Sequence, residues 1–263
     1  MLDRLRIGLN ECPFKEQEDF GKLYTQYVHD SVQSAIKPRT ERLPISLSKF
    51  HLPPFELACR HVMPERLADV QERYNHKTAR TFLWGHLFEA YLRILLPRLG
   101  YEIVEYQPEV RLWGYVGHPD FIVRSDEGTF VVDAKTAKHS YVLKLVRDGH
   151  FMNNERGYVT QLALYEAACG FRGIFIVLDK DTLDCHLVFL DSKEAHDEVD
   201  RVADLIDKLH QCDRLETVYK LFDIPPLQRR HGHLEVLPAL YGSPYLDLMY
   251  VFGDDGYPKR SIV

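Results

Sequence analysis

The stretch Asp120-Phe-Ile-Val-Arg-Ser-Asp-Glu-Gly-Thr-Phe-Val-Val-Asp-Ala-Lys135 decides the fold. Two apolar segments flank Ser-Asp-Glu-Gly, a sequence typical of a turn, so the stretch predicts a β-hairpin. If the hairpin closes symmetrically about this turn, Asp120 faces Asp133 across the two strands. Directly opposed residues have Cβ atoms roughly 4.5–5.5 Å apart, so the two carboxylates can share one divalent cation. Lys135 follows Asp133 by two residues and lies on the same face of its strand.

The hairpin also has a purely structural interpretation. Asp120 follows Gly-His-Pro and can cap a turn, while Asp133 and Lys135 can form the solvated side of an edge strand. Against this, the apolar run Phe130-Val-Val132 leads directly into Asp133, and burying a charge without a partner is costly. We therefore interpret the two acids and the lysine as a site for phosphodiester chemistry.

The composition indicates a globular protein without a general attraction to nucleic acid. The 263 residues are 45% hydrophobic, enough for a substantial core. With 33 Lys and Arg against 39 Asp and Glu, the net charge is −6, so any contact with DNA must be local. One basic segment, which includes Lys138 and Lys144, follows the hairpin. It either contacts phosphate or is an ordinary solvated face.

The cysteines and the apolar runs indicate the compartment. Five scattered cysteines with no Cys-x-x-Cys pair disfavour both a disulfide framework and a structural zinc site. No apolar run approaches the roughly 20 residues that a membrane span needs, and no signal-peptide pattern follows the first residues. We expect a cytoplasmic protein that does not contact membranes.

The hydrophobic pattern predicts an α/β core with extensions at both ends. Periodicity predicts helices at residues 16–36, 66–74, 79–96, 155–169 and 193–212, and strands at 102–113, 119–124, 129–135, 174–178 and 185–190. Hairpin-linked early strands and a helix between later strands predict a mixed sheet. We divide the chain into an N-terminal helical extension (1–78), a core (79–190) and a C-terminal helical and irregular extension packed on the core (191–263).

Four short motifs follow one another along the core. They are Gly85-His-Leu-Phe-Glu89, Gly117-His-Pro-Asp120, Asp133-Ala-Lys135 and Gln161-Leu-Ala-Leu-Tyr165. As a set, over about residues 79–190, they resemble the RecB-like branch of the PD-(D/E)XK nuclease superfamily. The resemblance implies a restriction-endonuclease-like core with a central mixed β-sheet flanked by helices.

The resemblance also implies an Mg²⁺- or Mn²⁺-dependent deoxyribonuclease. The catalytic residues would be Asp120, Asp133, Lys135 and Glu89. The metal ligands would be Asp120, Asp133 and Glu89, with the backbone carbonyl of Ala134. The cation would activate a water molecule, Lys135 would orient it, and Gln161, Tyr165 and Lys138 would bind the substrate.

Two of these motifs also have alternative interpretations. Glu89 lies on an amphipathic helix, where a lone acid is more often a surface residue, and His86 competes with it as the ligand of the first motif. Gln161 and Tyr165 are four residues apart and project from the same helical face. Without the hairpin acids, we would interpret this pair as part of a helix surface with an ordinary half-buried tyrosine.

Cys59 resembles the cysteine that begins an iron–sulfur cluster in CRISPR-associated and recombination-associated relatives. Those relatives take three more cysteines from the C-terminal region, but none follows Cys212 here. Because four thiolates are the usual requirement, we predict no iron–sulfur cluster and a core position for Cys59. The departure favours a stand-alone nuclease similar to those of phages or of organellar genome maintenance.

The predicted function is therefore a DNA nuclease, with an exonuclease favoured, in DNA processing, recombination or repair. Its partner would be DNA that is single-stranded or has free ends, together with a recombination or replication protein, in the cytoplasm of a phage-infected or bacterial host. Two alternatives stay open: a non-catalytic DNA-binding accessory protein on a nuclease fold, and a metal-dependent hydrolase of small phosphorylated metabolites.

Overall fold

A computed structural model describes residues 22, 24–29, 45–67, 76–148, 157–230, 233–237, 240, 243–252 and 257–262. The α-helices are α1 (Pro54–Val62), α2 (His76–Arg98), α3 (His139–Asp148), α4 (Tyr158–Cys169), α5 (Ser192–Leu209) and α6 (Leu215–Leu221). The strands are β1 (Glu102–Tyr106), β2 (Val110–Leu112), β3 (Tyr115–Gly117), β4 (Phe121–Ser125), β5 (Gly128–Ala137), β6 (Arg172–Asp179), β7 (Cys185–Phe189), β8 (Gln228–Arg230), β9 (His233–Glu235), β10 (Tyr250–Phe252) and β11 (Pro258–Ser261).

A mixed five-stranded sheet in the order β1-β4-β5-β6-β7 forms the centre of the protein. Within this sheet β5 and β6 pair in parallel and the other neighbours pair antiparallel; α3 and α4 lie between β5 and β6 in the chain. The β4–β5 hairpin has the predicted register, with Arg124 opposite Thr129 and Ile122 opposite Val131. Helices cover both faces of the sheet, which confirms the predicted α/β architecture and is consistent with a restriction-endonuclease-like core.

The two faces of the sheet bury different helices. Helix α2 covers one face, where Phe88 and Leu92 pack against Phe121 and Val132. Helix α4 covers the other face, and α5 packs on α4. Helix α5 begins after its cap Asp191, whose carboxylate accepts hydrogen bonds from the backbone N–H groups of Lys193 and Glu194. The buried apolar residues of the segment 45–67 belong to the same hydrophobic cluster as those of α4.

Several boundaries differ from the predicted ones. The single strand predicted over residues 102–113 is wrong: β1 ends at Tyr106, because Gln107 has a φ of 48° and Pro108 has no N–H to donate. Helix α3 occupies the basic segment, and the C-terminal extension contains the short hairpins β8–β9 and β10–β11 besides its helices.

Predictions near the N-terminus lie largely outside the described residues. Of the predicted helix 16–36, residues 22 and 24–29 are described, and they are helical. Of the predicted helix 66–74, residues 68–74 lie outside, and the preceding Pro64–Leu67 forms a 3-10 turn. Within the described part of the chain, no helix has the length and apolar character that crossing a membrane requires.

Candidate active site

The acids of the β4–β5 hairpin meet where the strand ladder ends. Regular pairing stops at Phe121 and Val132, one residue short of the predicted Asp120–Asp133 pair. The backbone N–H of Asp120 donates to the carbonyl of Val132 (3.1 Å), and its Oδ2 accepts a hydrogen bond from the backbone N–H of Ala134 (2.6 Å). Asp120 thus binds to β5 through its own carboxylate, and this fixes one acid beside the other.

Asp133 and Lys135 form an ion pair on the face of β5 that points toward α4. The side chain of Asp133 is 2% exposed and that of Lys135 is 17% exposed. The Lys135 ammonium group also lies 4.9 Å from the centre of the Tyr158 ring. Burial lowers the pKa of Lys135, but the carboxylates of Asp133 and Asp120 outweigh it and raise the pKa above its ordinary value. Lys135 is therefore charged at neutral pH.

The glutamine and the tyrosine of α4 join the same network. The side-chain amide of Gln161 donates to Asp133 Oδ1 (3.3 Å) and to the Tyr165 hydroxyl (3.1 Å). That hydroxyl donates to the carbonyl of His118 (3.3 Å). Gly117 lies directly against Tyr165, since a Cβ atom there would stand 2.5 Å from ring carbon Cε1. Three of the motifs predicted from the sequence therefore touch one another.

Glu89 reaches the site from α2 through Tyr106 and Gln107, which no sequence motif indicates. Its Oε2 accepts hydrogen bonds from the Gln107 amide (2.9 Å) and the Tyr106 hydroxyl (3.2 Å). The backbone N–H of Gln107 donates to the carbonyl of Asp120 (2.9 Å). Gln107 thus links Glu89 to Asp120. His86 Nδ1 stands 3.8 Å from Glu89 Oε1, on the same helix.

The carboxylates of Asp120, Asp133 and Glu89 are close enough to repel one another. Burial raises the pKa of Asp120 well above its ordinary value, and the charges of Asp133 and Glu89 raise it further. Burial likewise raises the pKa of Glu89, and the charge of Asp133 raises it further. His86 and the hydrogen bonds from Gln107 and Tyr106 lower this pKa, but they do not outweigh the burial. Lys135 supplies one positive charge. A second cation would relieve the remaining repulsion.

The donor set fits a hard divalent cation held by two carboxylates. Among the described residues, no three His, Cys, Asp or Glu side chains come together as a ready-made metal cage. Mg²⁺ does not need one, because it usually keeps several waters and takes one or two carboxylates with substrate oxygens. The buried Oδ2 of Asp133 accepts no hydrogen bond of good geometry from the described residues, although the Lys135 ammonium group lies against it.

The remaining predicted residues lie away from this network. Lys138 is exposed and follows the end of β5. Cys59 is fully buried in the core, and burial raises the pKa of its thiol to about 12. An apolar cavity of about 260 Å³ lies between α2 and the opposite face of the sheet, and the predicted site residues do not line it.

Comparison with known proteins does not assign an activity. No protein-family model matches the chain, and no curated protein sequence matches it significantly. The solved structure of SSO0001 is similar over 73% of this chain and 86% of its own, with 18% identity and a TM-score of 0.39. Pyrococcus furiosus SfsA, solved in complex with Ca²⁺, is similar over 41% of this chain and 62% of its own, with 19% identity and a TM-score of 0.19. Scores this low say nothing about what the chain binds.

Proposed function

We propose that the chain is an Mg²⁺- or Mn²⁺-dependent DNA nuclease of the RecB-like PD-(D/E)XK type. One observation carries the proposal: Asp133 is in contact with both Lys135 and Gln161, and the neighbouring backbone N–H of Ala134 donates to Asp120. Acids, lysine and glutamine come from a hairpin and a helix that are separate in the chain. A solvated edge strand would leave these side chains in water, but Asp133 is buried.

Asp120 and Asp133 would hold the cation, with the carbonyl of Ala134 as a further ligand, and Glu89 would support the site through Gln107 rather than as a third carboxylate ligand. When bound, such an ion makes water more acidic and offsets charge on the phosphoryl oxygens. Lys135 keeps its proton in the field of the two aspartates, so it can orient a nucleophilic water and donate to a phosphoryl oxygen. Gln161 is half-buried and its amide donates to Asp133, so it would contact a scissile phosphate bound at that residue.

The proposed role of Tyr165 changes in one respect. Its ring is 2% exposed and packed against Gly117, so the direct substrate contact that the resemblance implies does not fit this arrangement. Its hydroxyl instead holds the Gln161 amide and the loop of His118. We assign Tyr165 as a positioning residue for Gln161. Lys138, exposed just beyond the end of β5, remains our candidate for a phosphate contact.

DNA with free ends, single-stranded or being processed, is the proposed substrate. The preference for ends, a role in recombination or repair, and a cytoplasmic setting are inferred from the sequence resemblance. The complete set of two acids and a lysine favours the nuclease over the non-catalytic accessory protein, and a metal-dependent cleavage assay separates the two. Hydrolysis of small phosphorylated metabolites is the second alternative, and comparing substrates tests it directly.

The test uses end-labelled linear DNA and closed circular DNA, each single-stranded and double-stranded, with Mg²⁺, Mn²⁺ or EDTA. We expect cleavage of linear DNA that requires the metal and that is lost in Asp133→Asn. The matched control is Asp126→Asn, which changes an exposed acid in the turn of the same hairpin and should cleave normally. Cleavage in EDTA, normal turnover by Asp133→Asn, or hydrolysis of nucleotides but not DNA would each refute the proposal.

A further inference from the structure

The tip of the β2–β3 hairpin has an unusual residue. Trp113 and Gly114 connect the strands with φ angles of 49° and 83°. Two-residue turns with positive φ at both positions favour Asn, Asp or Gly at the first position, since a bulky side chain is strained there. Trp113 is nevertheless 41% exposed. A strained turn that displays a large apolar ring to solvent does not stabilise the fold, and backbone strain of this kind is often found at functional sites.

The hairpin is fixed firmly to the proposed active site. Strand β2 packs on α4, the helix that carries Gln161, and the Tyr115 ring makes an edge contact with Phe50 at 4.9 Å between centroids. At the base of the hairpin, Gly117 lies against Tyr165. The strand from Gly117 to the tip spans about 10 Å at ordinary strand rise. Trp113 is therefore held at a set distance from the residues that would carry the chemistry.

The charges near the tip favour contact with a base over contact with phosphate. Arg111 is paired with Glu109 through two hydrogen bonds of 2.6 and 2.9 Å, so the cation beside the tip is neutralised by its neighbour. An indole ring offers a flat apolar face, on which any unpaired base can stack whatever the sequence. Stacking of this kind requires a single-stranded segment.

We propose that Trp113 is a stacking platform for a base of the single DNA strand that enters or leaves the active site. The proposal rests on the proposed nuclease function and adds a binding site outside the catalytic residues. The proposal also accounts for the strained turn. An Asn at this position would relieve the strain but would lack the ring on which a base stacks.

Trp113→Asn is the sharpest variant, since Asn suits the turn and the variant should fold at least as well as the wild type. The chain has two tryptophans, Trp113 and Trp84. Trp84→Phe therefore leaves Trp113 as the single tryptophan reporter, and Trp113→Asn leaves Trp84. The probe is a dye-labelled oligothymidylate in Ca²⁺, checked on a gel to be intact, with binding followed by anisotropy.

We expect the emission of Trp113 in Trp84→Phe to change in parallel with binding. Trp113→Asn should bind the oligothymidylate roughly 5- to 150-fold more weakly, as expected for the loss of one stacked base, with an unchanged circular dichroism spectrum. Trp84→Phe should bind within about twofold of the wild type. If the wild type binds but Trp113→Asn binds equally well, or if Trp113 emission does not respond, the stacking site is refuted and the nuclease proposal stands. If the wild type binds no DNA at all, both fail.

Discussion

Replacing Lys135 by Met should destabilise the protein far more than an ordinary surface substitution. The change leaves Asp133, 2% exposed, without its counter-ion. Removing one partner of a buried ion pair costs about 3–5 kcal/mol. Protonating an aspartate at pH 7 costs about 4 kcal/mol. The loss of stability cannot exceed this value, because Asp133 would take up a proton before an unpaired charge cost more. The Gln161 hydrogen bond to Asp133 Oδ1 remains, so we expect a loss of about 3 kcal/mol.

Urea unfolding followed by circular dichroism in EDTA measures this loss. Lys138→Met is the matched control, since the same substitution three residues later removes an exposed charge and should change the free energy of unfolding by less than about 0.5 kcal/mol. Adding Asp133→Asn to Lys135→Met removes the stranded charge and should recover most of the loss. A loss below about 1 kcal/mol for Lys135→Met, or a double variant no more stable than the single one, would refute the buried ion pair.

Two further predictions concern residues around the site. Gly117→Ala places a methyl group 2.5 Å from Tyr165, so it should lower the free energy of unfolding by about 1–3 kcal/mol in the same urea assay; an unchanged value would show that Tyr165 is not packed there. Although burial alone would raise the pKa of Asp179, the His139 hydrogen bond (2.6 Å) and two backbone N–H groups lower it. The charged Asp179 therefore stabilises the fold above about pH 4, and the stabilisation disappears as pH falls through its lowered pKa. Asp179→Asn should melt below the wild type at pH 6 and at the same temperature near pH 2; a gap that widens on acidification would contradict this sign.

The sequence predicts the parts of the fold that local patterns determine. Two apolar runs around Ser125-Asp-Glu-Gly128 define the β4–β5 hairpin and its register, and the later strands with α4 between them define the parallel pair. The contact of Gln161 with Asp133 is also foreseeable in outline, since both residues belong to motifs expected to converge.

The rest depends on tertiary contacts that have no sequence signature. Gln107 adopts a left-handed backbone conformation and bridges Glu89 and Asp120, but a glutamine before a proline carries no such signal. The hydrogen bond from the Ala134 backbone to Asp120 replaces a regular ladder pair, and spacing rules assume that the ladder continues. The burial of Tyr165 likewise follows from Gly117, which lies far away in the chain.

Binding of Mn²⁺ is the measurement that most directly tests whether this site is a metal-dependent one. The free ion can be counted by its paramagnetic resonance signal as protein is added, for the wild type, for Asp126→Asn and for the double variant Asp120→Asn/Asp133→Asn. We predict that the wild type and Asp126→Asn remove Mn²⁺ from solution equally and that the folded double variant does not. Equal binding by all three proteins would place the ion elsewhere and contradict the proposed active site.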